Sequence, residues 1–143
     1  MYKRLDGMNF IELRGKVPKD GFSHKYSFRT AQNWDDVGVV VEHPYVVFDV
    51  DNQITFQLLY SMIEEMNIKT RVMRTSRGGH FWFKSDEPLS NNAGINTPLT
   101  IDVDIRSYGK HLMCVVRQVG EWREWIKFDD NVDYIPAWLT PIK

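Results

Sequence analysis

The chain carries six runs rich in β-branched and aromatic residues, a composition typical of strands. Turn-rich segments lie at 14–21 (RGKVPKDG) and at 85–98 (SDEPLSNNAGINTP), and both predict loops. The predicted strands are VGVVVE (37–42), YVVFDVD (45–51), TRVMRTS (70–76), HFWFK (80–84), LTIDVDIR (99–106) and HLMCVVRQV (111–119).

One segment follows a different period. In DNQITFQLLYSMIEEMN (51–67) the apolar residues recur about every 3.6 residues, which predicts an amphipathic helix. Asp51 or Asn52 is placed to cap its first turn. One long helix among many strands predicts an α+β (mixed α/β) domain, in which the helix lies on a mostly antiparallel sheet. The apolar positions of the helix are Ile54, Leu58, Leu59, Met62, Ile63 and Met66.

Length and composition predict a single domain spanning residues 1–143. A chain of 143 residues, 43% of them apolar, can bury a substantial core. The net charge of −1 means that any contact with nucleic acid has to come from a local basic patch. The single cysteine, Cys114, excludes a disulfide framework. The sequence shows neither a signal-peptide pattern nor an apolar run of membrane length, so we expect a cytoplasmic protein without a membrane partner.

Two of the predicted strands carry pairs of acids. Side chains alternate across a sheet, so Asp49 and Asp51 share one face of their strand, and Asp102 and Asp104 share one face of another. Acids on a partly buried face repel each other and are costly to desolvate, so a cation should lie among them. Magnesium or manganese suits such oxygen ligands. The alternative is that the acids cap the following helix or face solvent.

A basic stretch lies between the two acidic pairs. Residues 66–85 contain no acid, and their turn SRGGH (76–80) offers a hydroxyl, a guanidinium, an imidazole and unhindered backbone amides. These donors suit phosphate oxygens. The alternative is a hairpin with a solvated basic face. The basic residues of the stretch are Lys69, Arg71, Arg74, Arg77, His80 and Lys84.

Taken in order, these stretches resemble the primase-polymerase domain of the archaeo-eukaryotic primase superfamily, found in replication proteins of phages and plasmids. The first motif of that family, an apolar strand ending in acid-x-acid, is matched by VVFDVD (46–51). The second, a small residue, any residue and a histidine before an aromatic strand, is matched by TSRGGHFWF (75–83). The third, an acid on an apolar strand before a glycine turn, is matched by VDIRSYGKHLMCVV (103–116). GKVP (15–18) and YIPAWL (134–139) resemble the edges of the domain.

The resemblance implies an RRM-like catalytic core that performs nucleotidyl transfer with two divalent ions, Mg²⁺ or Mn²⁺. It implies that Asp49, Asp51 and Asp104 are the catalytic, metal-holding acids, with Asp102 supporting them. Its ligands would be nucleoside triphosphates and single-stranded DNA or a primer-template, and its further partners a helicase or a single-strand-binding protein. The residues expected to bind nucleotide are Ser76, Arg77, Gly78, Gly79, His80, Arg106 and Lys110, and those expected to bind nucleic acid are Lys69, Arg71, Arg74 and Lys84.

Two other functions compete with this interpretation. A phosphatase of the haloacid-dehalogenase kind also has D-x-D after an apolar strand, and RVMRTS (71–76) and KFDD (127–130) could supply its remaining motifs. A nucleic-acid-binding module that keeps the fold without catalysis would use aromatic side chains as stacking surfaces. The tryptophans available for stacking are Trp82, Trp122, Trp125 and Trp138.

Overall fold

A computed structural model of the chain describes residues 7–89, 95–96, 102–110 and 112–140. The chain divides into two compact units, unit 1 (residues 1–41 and 111–123) and unit 2 (residues 42–110 and 124–143). The helices are α1 (Phe28–Ala31) and α2 (Gln53–Glu65), with a 3₁₀ turn at Ala137–Leu139. The strands, in chain order, are β1 (Phe10–Arg14), β2 (Val17–Pro18), β3 (Val37–Val40), β4 (Tyr45–Val50), β5 (Arg71–Arg74), β6 (Gly79–Lys84), β7 (Ile95–Asn96), β8 (Asp102–Ser107), β9 (Met113–Gln118), β10 (Glu121–Trp122) and β11 (Trp125–Phe128).

The described strands of unit 2 form a sheet with the order β11-β5-β6-β4-β8-β7, and its ladders are antiparallel. Helix α2 connects β4 to β5, yet β6 lies between those two strands in the sheet. Strand β4 is therefore central, with β6 on one side and β8 on the other. This arrangement confirms the predicted α+β class with a mostly antiparallel sheet.

Helix α2 and one face of this sheet form the core of unit 2. Alternate residues of β4 belong to the same buried cluster as the inner side of α2. The residues between them, including Asp49, project to the opposite face because side chains alternate along a strand. The core residues from β4 are Val46, Phe48 and Val50, and those from α2 are Phe56, Leu59 and Ile63.

The start of α2 settles which residue caps the helix. Oδ1 of Asn52 accepts a hydrogen bond from the backbone N–H of Thr55 at 3.0 Å, which satisfies one of the free amides of the first turn. Asp51 therefore does not cap the helix. Its carboxylate is available for another partner.

The buried side of α2 differs from the predicted apolar set. Phe56, together with Leu59 and Ile63, sets the buried side of the helix, and the predicted Ile54 and Leu58 project outward and are exposed. The 3.6-residue period is correct, but the buried side of the helix includes the aromatic ring of Phe56, which was not among the predicted apolar positions. A helix in which several apolar residues point outward cannot be oriented from periodicity alone.

The described strands of unit 1 form an antiparallel sheet with the order β10-β9-β3-β1-β2. The outer side of β1 is lined by the chain that follows it. Leu13 pairs with Pro18 of β2, and farther along β1 the backbone of Phe10 bridges that of Tyr26 through two hydrogen bonds of 2.8 Å. Residues 17–26 therefore form the edge of this sheet.

Each of the six predicted strands is present, but most end one to three residues short of their predicted bounds, and residues 99–101 and 111 lie outside the described residues. Strands β1, β10 and β11 were not predicted, and β2 and β7 lie in segments predicted as loops. These strands are short and mix charged with apolar residues, so their extended form depends on pairing with neighbours. Among the described residues, no helix is long and apolar enough to cross a membrane.

A tight turn of unit 1 contains backbone strain. Val119 and Gly120 join β9 to β10, and their φ angles of 48° and 76° are both positive, the pattern of a type I′ turn. Asn and Gly adopt this region readily, whereas a β-branched residue is strained there. The side chain of Val119 is 86% exposed, so almost no burial offsets the strain.

We predict that Val119→Asn stabilises the protein by about 1 kcal/mol, because it relieves left-handed strain at a position where valine is hardly buried. Thermal unfolding followed by circular dichroism should show a Tm higher by a few degrees. Val119→Ala is the matched control, since it removes the exposed methyl groups but keeps most of the strain. An equal rise in both variants, or none in Val119→Asn, would contradict this account.

Candidate functional site

Asp49 lies in the middle of the unit 2 sheet, between residues of the two other sequence motifs. In the antiparallel register it is opposite His80 of β6 and opposite Asp104 of β8. Residues directly opposite each other project to the same face, with Cβ atoms about 4.5–5.5 Å apart. The register therefore places the two acids and the histidine in one row across three strands.

The side chains of His80 and Arg106 lie against the carboxylate of Asp49. Nε2 of His80 lies 3.5 Å from Oδ1, and Nη2 of Arg106 lies 3.5 Å from Oδ2. Burial raises the pKa of Asp49, but the hydrogen bond and charge of His80 and the charge of Arg106 outweigh it and hold this pKa below its usual value of 3.8. The cation expected among the acids is thus supplied in part by the protein itself.

Arg106 was predicted as a nucleotide ligand, but its pairing with Asp49 was not foreseen. The signal was present in the sequence, because Arg106 follows Asp104 by two residues and therefore shares its face of β8. Once Asp104 is placed beside Asp49, the same register places Arg106 opposite Val47, two residue pairs farther along and on the same face. A long guanidinium side chain reaches diagonally from there to Asp49.

His80 is enclosed by the sheet rather than presented at a turn. It is 4% exposed, and in the register it lies between Asp49 and Met73. Nδ1 of its ring is buried without a hydrogen-bond partner among the described residues. The nitrogen that does have a neighbour, Nε2, faces Asp49. This placement suits a side chain that orients a carboxylate.

Asp51 is paired with Arg77 of the turn between β5 and β6. Nε of Arg77 donates to Oδ1 of Asp51 at 3.0 Å, and Nη2 donates to Oδ2, so the pair is bidentate. Both side chains are more than half exposed, at 73% for Arg77 and 52% for Asp51. An exposed ion pair contributes only about 0.2–1 kcal/mol, so a competing cation or anion can separate it.

The two glycines of the turn are required by close packing. A Cβ on Gly78 would lie 1.8 Å from the carbonyl oxygen of Val50, and one on Gly79 would lie 2.3 Å from the ring of Phe56. The N–H of Gly78 donates to Oγ1 of Thr75 at 3.1 Å, so that amide is already used inside the turn. Glycine here lets the turn lie against the end of β4, which brings Arg77 to Asp51.

The donor chemistry of the site fits a divalent ion in part. Asp49 and Asp104 are cross-strand neighbours and offer the carboxylate oxygens that Mg²⁺ and Mn²⁺ prefer. Among the residues that the structure describes, however, no three His, Cys, Asp or Glu side chains are grouped as an ion requires. Asp51, the third predicted ligand, is held by Arg77. The side chain of Asp102 lies outside the described residues.

Arg71, a residue predicted to bind nucleic acid, is used inside the protein. It is buried, Nε and Nη2 donate to the carbonyls of Asp129 and Asp130 at 3.0 Å each, and its guanidinium lies over the ring of Phe128. A guanidinium satisfied in this way stabilises the fold and is not available to phosphate.

The remaining predicted ligands lie nearer the surface. Lys69 and Arg74 are exposed, with Arg74 over the ring of Phe56, and Lys84 lies over the ring of Tyr134. The predicted nucleotide ligands Ser76 and Lys110 are exposed in turns. Of the tryptophans considered for stacking, Trp82 and Trp125 are buried, and Trp138 packs against the core.

No protein-family model, curated protein or solved structure matches this chain. The resemblance to primase-polymerases therefore depends on the motifs and on the way the fold brings them together.

We predict that Gly78→Ala destabilises the protein by about 2 kcal/mol or more, because the new methyl group would overlap the backbone carbonyl of Val50. Urea unfolding should show a lower midpoint with an unchanged slope. Ser76→Ala, an exposed change in the same turn, should stay within about 0.5 kcal/mol of the parent. If Gly78→Ala is as stable as the parent, the turn does not lie against β4.

Proposed function

We propose that the protein performs template-dependent nucleotidyl transfer, as a DNA primase or DNA polymerase in phage or plasmid replication. The observation that carries the proposal is the row formed by His80, Asp49 and Asp104. These residues come from three separate motifs, and Asp49 and Asp104 are 55 residues apart in the sequence. If the resemblance were accidental, there would be no reason for residues of three separate motifs to lie next to one another in the fold.

The topology of unit 2 supports an RRM-like core. Strands β4 and β5 are joined by α2 and separated in the sheet by β6, which is the split β-α-β arrangement of the ferredoxin-like class. Strand β8 then pairs on the other side of β4, so the order of these strands is β5-β6-β4-β8. The described residues between β6 and β8 contain no helix, so the second crossover helix of that class has no counterpart among them.

The acids and the basic residues of the site have different roles in the proposed reaction. Asp49, Asp51 and Asp104 would hold two divalent ions, which when bound activate the primer hydroxyl and carry the triphosphate. Arg77 lies on an exposed turn and, once separated from Asp51, presents a guanidinium to the triphosphate. Lys110 is exposed beyond β8 and adds a second positive charge for phosphate.

His80 takes a role different from the one that the sequence predicted. The ring of His80 is 4% exposed, and its Nε2 is directed at Asp49. Its contact is therefore with that carboxylate and not with a nucleotide. We assign it the positioning of Asp49, with Arg106 fixing the other carboxylate oxygen. Held from both sides, Asp49 keeps one orientation and a low pKa, as a ligand for a cation must.

The phosphatase alternative has less support. Ligands of doubly wound sheets bind at the carboxyl ends of parallel strands, whereas the ladders of the unit 2 sheet are antiparallel. The acids expected to complete the phosphatase site have structural contacts. Oδ2 of Asp129 accepts the N–H of Thr70 at 2.8 Å, and the carbonyl of Asp130 accepts Arg71.

We predict that the parent extends a labelled primer on a DNA template with Mg²⁺ or Mn²⁺, and that Asp104→Asn lowers the rate by roughly 10²-fold or more, because a charge needed in the transition state is lost. Gel analysis of extended primers measures this. Asp86→Asn, at an exposed acid of the same unit, is the matched control and should be as active as the parent. Hydrolysis of p-nitrophenyl phosphate without primer extension would support the phosphatase, and strand binding with neither activity would support the inactive module.

We also predict that Arg77→Ala binds Mn²⁺ about two- to fivefold more tightly than the parent when nucleotide is absent, because Asp51 no longer has to give up its guanidinium partner. Isothermal titration calorimetry of the metal alone measures this. Arg74→Ala removes the same charge from the same hairpin, but that guanidinium lies over a ring rather than on an acid, so its affinity should be unchanged. Equal changes in both variants would mean that only net charge matters.

A further inference from the structure

The charges of the chain are divided unequally between the two units. Unit 1 contains nine Lys and Arg residues against six Asp and Glu, whereas unit 2 contains nine against thirteen. The resulting net charges are +3 and −4, which add up to the −1 of the whole chain. A phosphate backbone is attracted by local positive charge, so unit 1 is the better place for it.

Four of the nine cations of unit 2 are engaged, in the part of the chain that the structure describes, with carbonyls or acids of the same unit. Arg71 donates to two carbonyls, and acids of unit 2 lie beside three further cations. These cations are Arg77 beside Asp51, Arg106 beside Asp49, and Lys127 beside Glu64 and Asp129. In the stretch of unit 2 that was predicted to hold nucleic acid, Arg71 and Arg77 are used in this way, whereas the side chains of Lys69, Arg74 and Lys84 have no such partner among the described residues.

In unit 1 the basic residues are concentrated in one segment, residues 14–29, which we call the basic edge. It contains five Lys or Arg residues and one acid, Asp20. It includes the turn after β1, strand β2, the chain that bridges back to Phe10 at Tyr26, and the start of α1, where Arg29 lies. Since β1 rises about 3.4 Å per residue, the part of the segment that pairs with β1 runs along about 14 Å of that strand. The basic residues are Arg14, Lys16, Lys19, Lys25 and Arg29.

Lys16 and Arg29 are the cations best placed for an external phosphate. Both are exposed, and neither side chain has an ion pair or hydrogen bond with another described residue. Lys19 lies 3.7 Å from Glu12. Arg14 lines an open pocket of about 300 Å³ together with three acids, which partly offset its charge.

Tyr26 adds an aromatic surface to the basic edge. Its side chain is 39% exposed, and two backbone hydrogen bonds to Phe10 fix its position. The ring of Trp34 meets it edge to face, with centroids 5.1 Å apart and an interplanar angle of 89°, so the tyrosine ring is supported from one side. Exposed aromatic rings between cations are the combination that single-stranded nucleic acids bind.

We propose that the basic edge binds single-stranded DNA, with phosphates at Lys16 and Arg29 and a base stacked on Tyr26. The choice of a DNA strand rests on the proposed nucleotidyl transfer. The surface itself is argued only from charge, exposure and the aromatic ring. A solvated basic face would show none of the dependence on Tyr26 that this arrangement requires.

The experiment is fluorescence anisotropy of a labelled oligo-dT of about 20 nucleotides, titrated with protein in EDTA, without nucleotide, at salt from about 50 to 200 mM. We expect the parent to bind with a strong salt dependence. The double variant Lys16→Ala/Arg29→Ala should bind more weakly, and the slope of log K against log salt should fall by about 1.4, or 0.7 for each lost phosphate contact. The matched double variant Lys69→Ala/Arg74→Ala, with one exposed lysine and one exposed arginine of unit 2, should keep the affinity and slope of the parent.

Substitutions of Tyr26 separate base stacking from charge. Tyr26→Ala should lower affinity by about 5- to 100-fold with an unchanged salt slope, because one stacked base is lost and no phosphate contact. Tyr26→Phe keeps the ring and should bind as the parent does. Circular dichroism identifies any variant that fails to fold. If Tyr26→Ala does not fold, Tyr26→Phe and the two double variants still test the proposal.

Four outcomes would overturn the proposal. The first is a larger loss of affinity in the Lys69/Arg74 variant than in the Lys16/Arg29 variant, and the second is equal binding by folded Tyr26→Ala and the parent. The other two are competition by duplex DNA, or by heparin, which has no bases, that is as strong as competition by single-stranded DNA. Because the titration contains no metal or nucleotide, its failure can be told from that of the proposed function. If the protein extends primers but does not bind a strand at this edge, only the proposal about the basic edge is refuted. If it binds strands but never extends a primer, only the proposed function is refuted.

Discussion

The antiparallel register of β4 with its two neighbours is the constraint on which the candidate site depends. Asp49 meets His80 on one side and Asp104 on the other because the three strands pair in one particular alignment. A shift of one residue would turn Asp49 into the apolar core and bring Phe48 or Val50 to the other face. Burial of those apolar residues under α2 therefore fixes the position of the acids. The core specifies the site, although no core residue belongs to it.

Placing acids at the centre of a sheet creates an electrostatic cost that the surrounding residues offset. Burial alone would raise the pKa of Asp49, yet His80 and Arg106 reverse the effect. Asp51, at the solvent-exposed end of the same strand, is paired with Arg77 instead. The inner pair is partly buried and holds a carboxylate in one orientation, whereas the outer pair is exposed and easily separated. The strand and the residue after it thus carry one carboxylate held in a fixed orientation and one whose partner is easily displaced.

Much of the fold could be predicted from the sequence. The helix, the six strands and the antiparallel class follow from periodicity and residue type, and one residue of each motif, Asp49, His80 and Asp104, lies in a common row across the sheet. Contacts that depend on side-chain reach could not be predicted. Alternation along β5 places Arg71 and Arg74 on opposite faces of the sheet, but nothing local shows that Arg71 is the one that turns inward to two carbonyls. The glycines were interpreted as room for a ligand, but their neighbours are Val50 and Phe56.

A nucleotidyl transferase needs carboxylates for its metal ions and cations for its DNA, and these groups neutralise one another when they lie together. Unit 2 shows this directly, since Arg77 and Arg106 are paired with the acids that an ion would need. Cations close to the acids therefore pair with those acids. They either hold a carboxylate in one orientation or are displaced from it when a ligand binds. Cations that hold a template continuously have to lie where acids are few. At the basic edge the acids Glu12, Asp35 and Asp36 lie beside Arg14 and Lys19, whereas Lys16 and Arg29 are exposed without an acid partner among the described residues, and Tyr26 lies between them in sequence.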